Sequence, residues 1–337
     1  AEGFGTIQGN GNNKPASVIN IYDGATVTNA ADLAIYHPQN GTLTIGAATI
    51  TGTTGIEMRA GELVVNEGAI IEGTAEFSAT PNGNGSTVLG AAIALSQHTT
   101  EQPTSVTVNG GTLKGARAFY QDNLASGTST SVSATIAAGT TLDGAIEVAE
   151  EGFMMPQAVD GSYTLIVSLA SVDGQKFETY AEAFDYVVAN GGDLVITGAS
   201  DETLGVYNIT KDATIDLGGQ SITAAFVVDN GAQFSIDNGT VTAPAKNDVI
   251  YIKNGKATVG ADATLIASTD CAVFMKNLDN ADAQLALDVY GTLVGAEGFG
   301  TIQGNGNNKP ASEINIYGGA TVTNAYDLAI YHPQNGT

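Results

Sequence analysis

A short sequence phrase, an alternating apolar run followed by a glycine corner and a second apolar run, returns throughout the chain. It occurs at 19–30, 43–53, 63–74, 106–116, 134–145, 234–244, 287–296 and 314–325. A third apolar run stands between these phrases, at 33–41, 55–61, 118–123, 226–231, 249–255 and 273–277. Equivalent positions lie 21 to 24 residues apart where turns are tightest, as from Ile35 to Ile56, Val227 to Ile250 and Ile250 to Val273. That length fits three strands of about 3–5 residues and three corners per turn.

Side chains alternate within each run, so that Val27 points one way while Thr26 and Thr28 point the other. Stacked turns then place Val, Ile and Leu in inward rows and Thr, Asp and Asn in outward rows. One turn cannot bury its apolar face alone, so stability requires the stack. We therefore predict an all-β fold, a parallel β-helix or solenoid.

Asn-Gly dipeptides mark many of the corners, for example at Asn109, Asn230, Asn238 and Asn254. Asn and Gly tolerate the positive φ that a sharp corner needs. Asn-Gly is also a strong signal for an antiparallel hairpin, so an antiparallel sandwich is the alternative. Hairpins do not explain why the same three-part phrase returns at a constant spacing, which favours the solenoid.

A second, longer repeat has a period of 295 residues, because 296–337 repeats 1–42 almost without change. Three of the 42 aligned positions differ: Val18 faces Glu313, Asp23 faces Gly318 and Ala31 faces Tyr326. One period of an array plus the start of the next copy explains this. The sequence is therefore expected to be an excised or processed piece of a longer protein, in which copies are joined covalently in tandem or associate end to end. Long near-identical arrays are typical of fibres, stalks and surface adhesins.

Residues 178–190 interrupt the strand pattern with helical spacing, because Tyr180, Phe184 and Val187 share one face. Thr179 with Glu182 predicts a capping box at the start of this helix, and Gly191 follows its end as a C-terminal stop. A short capping α-helix near 178–190 would cover the end of a β-stack, which otherwise presents unpaired strand edges.

The segment 177–222 resembles the opening of pectate-lyase-like β-helix domains in bacterial surface proteins. The resemblance rests on FETYAEAF (177–184), GGDLVI (191–196) and ITKDATIDLGGQSITA (209–224), with Gly218 where the family has Asn. It implies a right-handed parallel β-helix that is secreted or wall-attached and often adhesive, and it marks a fold start rather than an activity. We expect 1–150 to be the C-terminal half of one module, 151–176 a junction, and 177–337 the capping helix and the N-terminal half of the next module, with the module itself beginning near 162.

The amino-acid composition limits the classes of partner that this chain is expected to bind. Eleven basic and 35 acidic residues give a net charge of −24, which disfavours nucleic acid and anionic membrane surfaces. Unspecific divalent cations could bridge such acidic surfaces. No apolar run reaches the roughly 20 residues of a membrane span. The single cysteine, Cys271, excludes an intrachain disulfide and is expected to be a small core residue in an apolar strand. The single cysteine does not decide the compartment, and the family resemblance implies an extracellular or cell-surface location.

Candidate chemistry is sparse, and we predict no catalytic, cofactor-binding or metal-binding residues. Arg59 beside Glu57 could serve a lyase, although a solvated ion pair is the simpler interpretation. Other candidates are the aspartates of a hydrolase (Asp216, Asp229, Asp237), the histidines (His37, His98, His332) and tyrosines that could contact a glycan (Tyr36, Tyr120, Tyr251, Tyr331).

The sequence thus predicts a structural or adhesive repeat protein that forms fibres or filaments and contacts itself or a host or matrix glycan or protein. A polysaccharide-binding or polysaccharide-degrading β-helix protein is the alternative.

Overall fold

The structure is a computed structural model that describes residues 5–9, 15–82, 85–97, 102–123, 132–304 and 310–332. Two compact units divide the chain, unit 1 at 1–167 and unit 2 at 168–337. Both units are built from short strands, and the described residues contain one α-helix. The boundary between the units falls inside the junction expected at 151–176.

The strands of unit 1 are β1 (Ile7–Gln8), β2 (Ser17–Ile21), β3 (Thr26–Thr28), β4 (Ile35–His37), β5 (Gly41–Ile45), β6 (Thr49–Gly52), β7 (Ile56–Met58), β8 (Gly61–Val65), β9 (Ile70–Gly73), β10 (Ser78–Asn82), β11 (Gly85–Leu89), β12 (Ala91–Ser96), β13 (Thr104–Val108), β14 (Thr112–Asp122), β15 (Val132–Ile136), β16 (Thr141–Val148), β17 (Phe153–Met154), β18 (Tyr163–Thr164) and β19 (Ile166–Val167). Strands β2, β5, β8, β13 and β15 pair in parallel as one sheet, which antiparallel β18 ends.

The other two faces of unit 1 begin as separate parallel rows, β3–β6–β9 and β1–β4–β7–β12. The long strand β14 joins both rows into one sheet, and β16 pairs with β14. An antiparallel hairpin, β10–β11, lies in chain order between β9 of the first row and β12 of the second. The antiparallel alternative therefore applies to this pair of strands, although it is wrong for the chain as a whole.

Unit 2 contains, in chain order, β20 (Ala170–Val172), β21 (Gln175–Phe177), α1 (Tyr180–Asn190), β22 (Gly192–Ile196), β23 (Val206–Ile209), β24 (Ala213–Asp216), β25 (Ser221–Thr223), β26 (Ala225–Val228), β27 (Ala232–Asp237), β28 (Gly239–Thr242), β29 (Ile250–Ile252), β30 (Gly255–Val259), β31 (Ala263–Ile266), β32 (Val273–Met275), β33 (Leu285–Val289), β34 (Thr292–Val294), β35 (Ile302–Gly304), β36 (Ser312–Ile316), β37 (Thr321–Thr323) and β38 (Ile330–Tyr331).

Every third strand of unit 2 pairs in parallel with the next, which produces three sheets. Their orders are β21-β20-β22-β24-β27-β30-β33-β36, β23-β26-β29-β32-β35-β38 and β25-β28-β31-β34-β37. The pairings of β20 with β21 and with β22 are antiparallel and stand at the start of the stack. This connectivity confirms a parallel β-solenoid with three strands per turn.

The residues that pair between successive turns agree with the predicted spacing at two of three positions. Ile35 pairs with Ile56, and Ile250 pairs with Val273, as expected. The predicted pairing of Val227 with Ile250 is wrong, because Ile250 pairs with Phe226. Phe226 is buried and points inward, and a shift of one residue would turn it to the outside.

Helix α1 begins and ends where the sequence predicted. The Thr179 side chain accepts a hydrogen bond from the Glu182 N–H at 3.2 Å, and Gly191 follows the helix with φ of 78°. The buried face of α1 includes Tyr180, Phe184 and Val187. Phe184 stacks on Tyr207, with ring centroids 4.9 Å apart, so the helix closes the core at the start of the stack.

Cys271 and the Asn-Gly corners lie close to where the sequence predicted them. Cys271 is buried, as expected of a core residue, but it lies before β32 rather than within a strand. Asn230 and Asn238 have φ of 60° and 57°, which confirms that Asn supplies left-handed corners.

Within the described residues, no helix combines the length and the apolar character that crossing a membrane requires.

Candidate functional site

The outer face of the eight-stranded sheet of unit 2 carries a continuous row of polar side chains. Register places one residue from each of six parallel strands side by side in this row: Asp193, Thr214, Ser235, Thr258, Asp288 and Asn315. The row exists because side chains alternate between the two faces along each strand, and parallel pairing puts paired residues of successive turns on the same face. An extended surface of hydrogen-bonding groups results.

An open groove of about 320 Å³ lies on this face. Its walls include Asp193, Asp212, Gln233, Ser235 and Lys256. The Asp212 carboxylate accepts a hydrogen bond from the Gln233 backbone N–H at 2.8 Å, which fixes that carboxylate at the groove. The groove therefore offers both donors and acceptors along the direction in which the strands stack.

An ion pair continues the groove toward later strands. Lys256 Nζ lies 2.5 Å from Asp288 Oδ2, and Asn315 Nδ2 donates to Asp288 Oδ1 at 2.9 Å. Burial opposes ionisation of Asp288, but the hydrogen bonds from Lys256 and Asn315 outweigh it and lower the pKa of the carboxyl from its ordinary value. Asp288 is thus held as an anion, with its acceptor positions occupied by neighbours.

Two tyrosines stand at the corner where this sheet ends. Tyr290 and Tyr317 stack with ring centroids 4.2 Å apart and planes 4° from parallel. They are 38% and 40% exposed, so both residues are partly accessible to solvent. Tyrosine combines an apolar ring with a polar tip, which suits contacts with the apolar faces and hydroxyls of sugars.

The four tyrosines that the sequence singled out lie elsewhere. Tyr36, Tyr120, Tyr251 and Tyr331 belong to β4, β14, β29 and β38, which are strands of other sheets. Tyr120 is buried beside Phe77, and Tyr251 packs against Phe274 at 5.3 Å, while Tyr331 is exposed. None of them pairs with Tyr290 or Tyr317. The signal that sequence reasoning missed is a Tyr-Gly step directly after a strand, at 290–291 and 317–318.

Glu57 and Arg59 form a buried ion pair, so the expectation of a solvated pair is wrong. Arg59 Nη2 lies 2.6 Å from Glu57 Oε1, and the two side chains are 3% and 2% exposed. Arg59 also donates to the carbonyl of Ser86 on the hairpin β10–β11. The hairpin covers this outward-facing pair. The strand pattern alone places the pair on the outer side of β7, and for that reason it suggested exposure.

Burial raises the pKa of Glu57 to about 7, although the neighbouring Arg59 charge acts to lower it. Asp122 and Asp32 raise the Glu57 pKa further by repulsion. In the described structure Arg59 is 3% exposed. It is therefore not presented to a polymer at the surface, as a lyase base would have to be.

The predicted aspartates hold corners of the chain. Asp216 Oδ1 accepts from Gly218 N and from Asn238 Nδ2, each at 2.8 Å. Asp237 Oδ1 accepts from the backbone N–H of Asn238, and Asp229 Oδ1 from that of Asn230. These carboxylates satisfy backbone donors at turns, which is an ordinary role for Asp.

His37 is fully buried, and its two ring nitrogens have partners. Nδ1 lies 2.9 Å from the Ala60 carbonyl oxygen, which can only accept, so Nδ1 carries the proton and Nε2 accepts from Ser17 at 3.1 Å. Its repeat equivalent His332 contacts Ser312 in the same way, at 2.8 Å. His98 lies outside the described residues. Within the part of the chain that the structure describes, no group of three or more His, Cys, Asp or Glu side chains is arranged to hold a metal ion.

Comparison with known proteins found no family model, no curated protein and no solved structure that matches the chain.

Proposed function

We propose that this chain is a structural or adhesive extracellular repeat protein of a bacterial cell surface, built from β-solenoid modules. One observation carries the proposal: the described parts of the two near-identical 42-residue copies form the same three strands, β2–β4 in unit 1 and β36–β38 in unit 2. A sequence that repeats with so little change and keeps its fold suits a scaffold assembled from many copies.

Charge and the family resemblance support the same role. A net charge of −24 keeps a β-rich surface soluble and discourages unspecific edge-to-edge pairing. The opening segment 177–222 resembles that of pectate-lyase-like β-helix domains in bacterial surface proteins, many of which are adhesive. The proposed role is structural rather than catalytic.

Electron microscopy of the full chain tests the filament part of this proposal. A module of about ten turns, at about 4.8 Å per turn, spans about 50 Å. We expect fibres with an axial repeat near that length. Discrete particles that never associate at high protein concentration would contradict a fibre-forming role and leave an adhesive role to be tested by binding.

Polysaccharide binding is the second candidate function, and the groove with the Tyr290–Tyr317 pair favours it. Lys256 lines the groove and pairs with Asp288, and Asp288 also accepts a hydrogen bond from Tyr317 of the stacked pair. Because Asp193 and Asp212 line the groove, an uncharged polysaccharide fits it better than an anionic one.

Binding to insoluble neutral polysaccharides separates these candidates. The variant Tyr290→Ala/Tyr317→Ala should lose retention, whereas Tyr326→Ala, which removes an exposed tyrosine elsewhere, should not. Release of reducing ends by the unmodified chain would instead support the degrading alternative. Equal retention of both variants would refute a glycan contact at the tyrosine pair.

A further inference from the structure

Six Asn-Gly steps have both residues within the described part of the chain, and they differ in how their amides are hydrogen-bonded. They begin at Asn40, Asn109, Asn190, Asn230, Asn238 and Asn254. In such a step the glycine nitrogen can attack the side-chain carbonyl carbon of the asparagine, because glycine has no Cβ to hinder the approach. The nitrogen loses its proton in this reaction, so an N–H that donates a hydrogen bond must first break that bond.

The glycine N–H groups of four of these steps donate to backbone carbonyl groups. In three steps of unit 2 the acceptor belongs to the next turn, at 2.7 to 3.0 Å: Gly231 donates to Asn254, Gly239 to Asp262 and Gly255 to Gln284. In a fourth step Gly191 donates to Val187 at the end of α1, at 2.7 Å. A fifth glycine, Gly41, lies within strand β5. The four hydrogen-bonded steps can react only after a local opening of the structure.

Gly110 differs from these glycines. It is a buried residue, and an added Cβ would lie 2.8 Å from Glu67 Cγ, yet within the described residues its N–H has no acceptor. The Asn109 side chain is exposed, and its Nδ2 lies 3.4 Å from Asn66 Oδ1, beyond the usual hydrogen-bond range. A buried N–H without an acceptor is unfavourable, and attack on Asn109 removes that N–H.

We propose that Asn109 is a site of spontaneous deamidation and isoaspartate formation, which distinguishes it from the four hydrogen-bonded steps. Gly110 N bonds to Asn109 Cγ, the Cγ–Nδ2 bond breaks, and ammonia leaves with the proton of the Gly110 N–H. Water then opens the resulting five-membered imide at one of its two carbonyl groups and leaves aspartate or isoaspartate. The reaction consumes one water, releases one ammonia and needs no enzyme, metal or cofactor.

The product changes the corner between β13 and β14. A new carboxylate is added where Gly110 packs against Glu67, and isoaspartate also lengthens the main chain by one methylene group. Asn109 N donates to Val65 O at 2.8 Å in the preceding turn, so the modified corner should be held less tightly to that turn. This chemical reactivity goes beyond the proposed structural role and does not depend on it.

The chain contains a matched control for this reaction. Residues 190–192 repeat the tripeptide Asn-Gly-Gly of residues 109–111, so the two sites share the local sequence that sets the intrinsic rate. Asn190 Nδ2 donates to Tyr186 O at 3.0 Å, and Gly191 N–H donates to Val187 O. A difference in rate between Asn109 and Asn190 therefore reports on the fold.

Site-resolved peptide mass spectrometry of the folded full chain, held in mildly alkaline buffer, measures both rates. Labelling by an isoaspartyl methyltransferase identifies the isoaspartate product. We expect Asn109 to deamidate at least about tenfold faster than Asn190, since about 1.4 kcal/mol, the scale of one hydrogen bond, corresponds to a factor of ten. In concentrated urea the two rates should converge. Asn109→Gln, whose longer side chain cannot form the five-membered imide, should stay unmodified at position 109 while Asn190 reacts as before.

The comparison of the folded and the unfolded chain decides the outcome. Equal rates at Asn109 and Asn190 in the folded chain, or a faster rate at Asn190, would overturn the inference. A preference for Asn109 that persists unchanged in urea would overturn it too, because the preference would then come from the sequence and not from the missing acceptor of Gly110.

Discussion

Neutralising Glu57 should stabilise unit 1 at neutral pH, although Glu57 is half of a buried ion pair. Burial raises the pKa of Glu57 to about 7 despite the Arg59 guanidinium 2.6 Å away. The loss of hydration at this site therefore outweighs the attraction of Arg59. Removing one partner of a buried pair more commonly destabilises a protein, because it leaves the other charge unpaired. The variant Glu57→Gln distinguishes these two outcomes.

The sign and size of the expected change in the free energy of unfolding follow from the linkage between pKa and stability. The Glu57 pKa is raised from 4.5 to about 7, so the folded state binds more protons than the unfolded state between these values. The contribution of Glu57 to stability is then full below about pH 4.5 and is lost as the pH rises through about 7. At about 1.4 kcal/mol per pKa unit, the loss amounts to about 3 kcal/mol.

Urea unfolding at pH 5 and pH 8 measures this difference. Glu57→Gln should resemble the unmodified chain at pH 5 and exceed its stability by about 3 kcal/mol at pH 8. Glu62→Gln removes the same charge from an exposed position of β8 and should show no such pH dependence. A Glu57→Gln variant that is less stable than the unmodified chain at pH 8 would refute the reasoning and show that the ion pair is net stabilising.

Three further predictions concern burial. Burial lowers the pKa of His37, so protonation should destabilise the folded state as the pH falls below about 6.5; thermal unfolding from pH 7.5 to 5 should show this, and His37→Gln should reduce it more than His332→Gln. Phe184→Ala should cost unit 2 about 3–5 kcal/mol by emptying the core under α1, measured by hydrogen exchange of each unit. Gly41→Ala should loosen the β2–β5 pairing, because Gly41 has φ of 125° and an added Cβ would collide with the Ser17 backbone, so amides of β2 should exchange faster.

The strand rows and the helix could be predicted because both follow from local patterns. Alternation of polar and apolar residues around Val27 places its side chain inward. Thr179 caps a helix whose apolar residues recur at helical spacing. The Phe226–Val228 run is apolar throughout, so alternation does not show which of its side chains point inward. The predicted register is therefore wrong by one residue there. Only the packing of Phe226 against the core selects the correct pairing.

The surroundings of Glu57 and Tyr120 could not be predicted, because they depend on a distant part of the chain. Alternation correctly places Glu57 on the outward side of β7, and outward normally means solvated. The hairpin β10–β11 covers that side, and Ser86 contributes the carbonyl that Arg59 contacts. The Tyr290–Tyr317 stack likewise depends on turns 27 residues apart, a spacing longer than the repeat on which the sequence prediction was based.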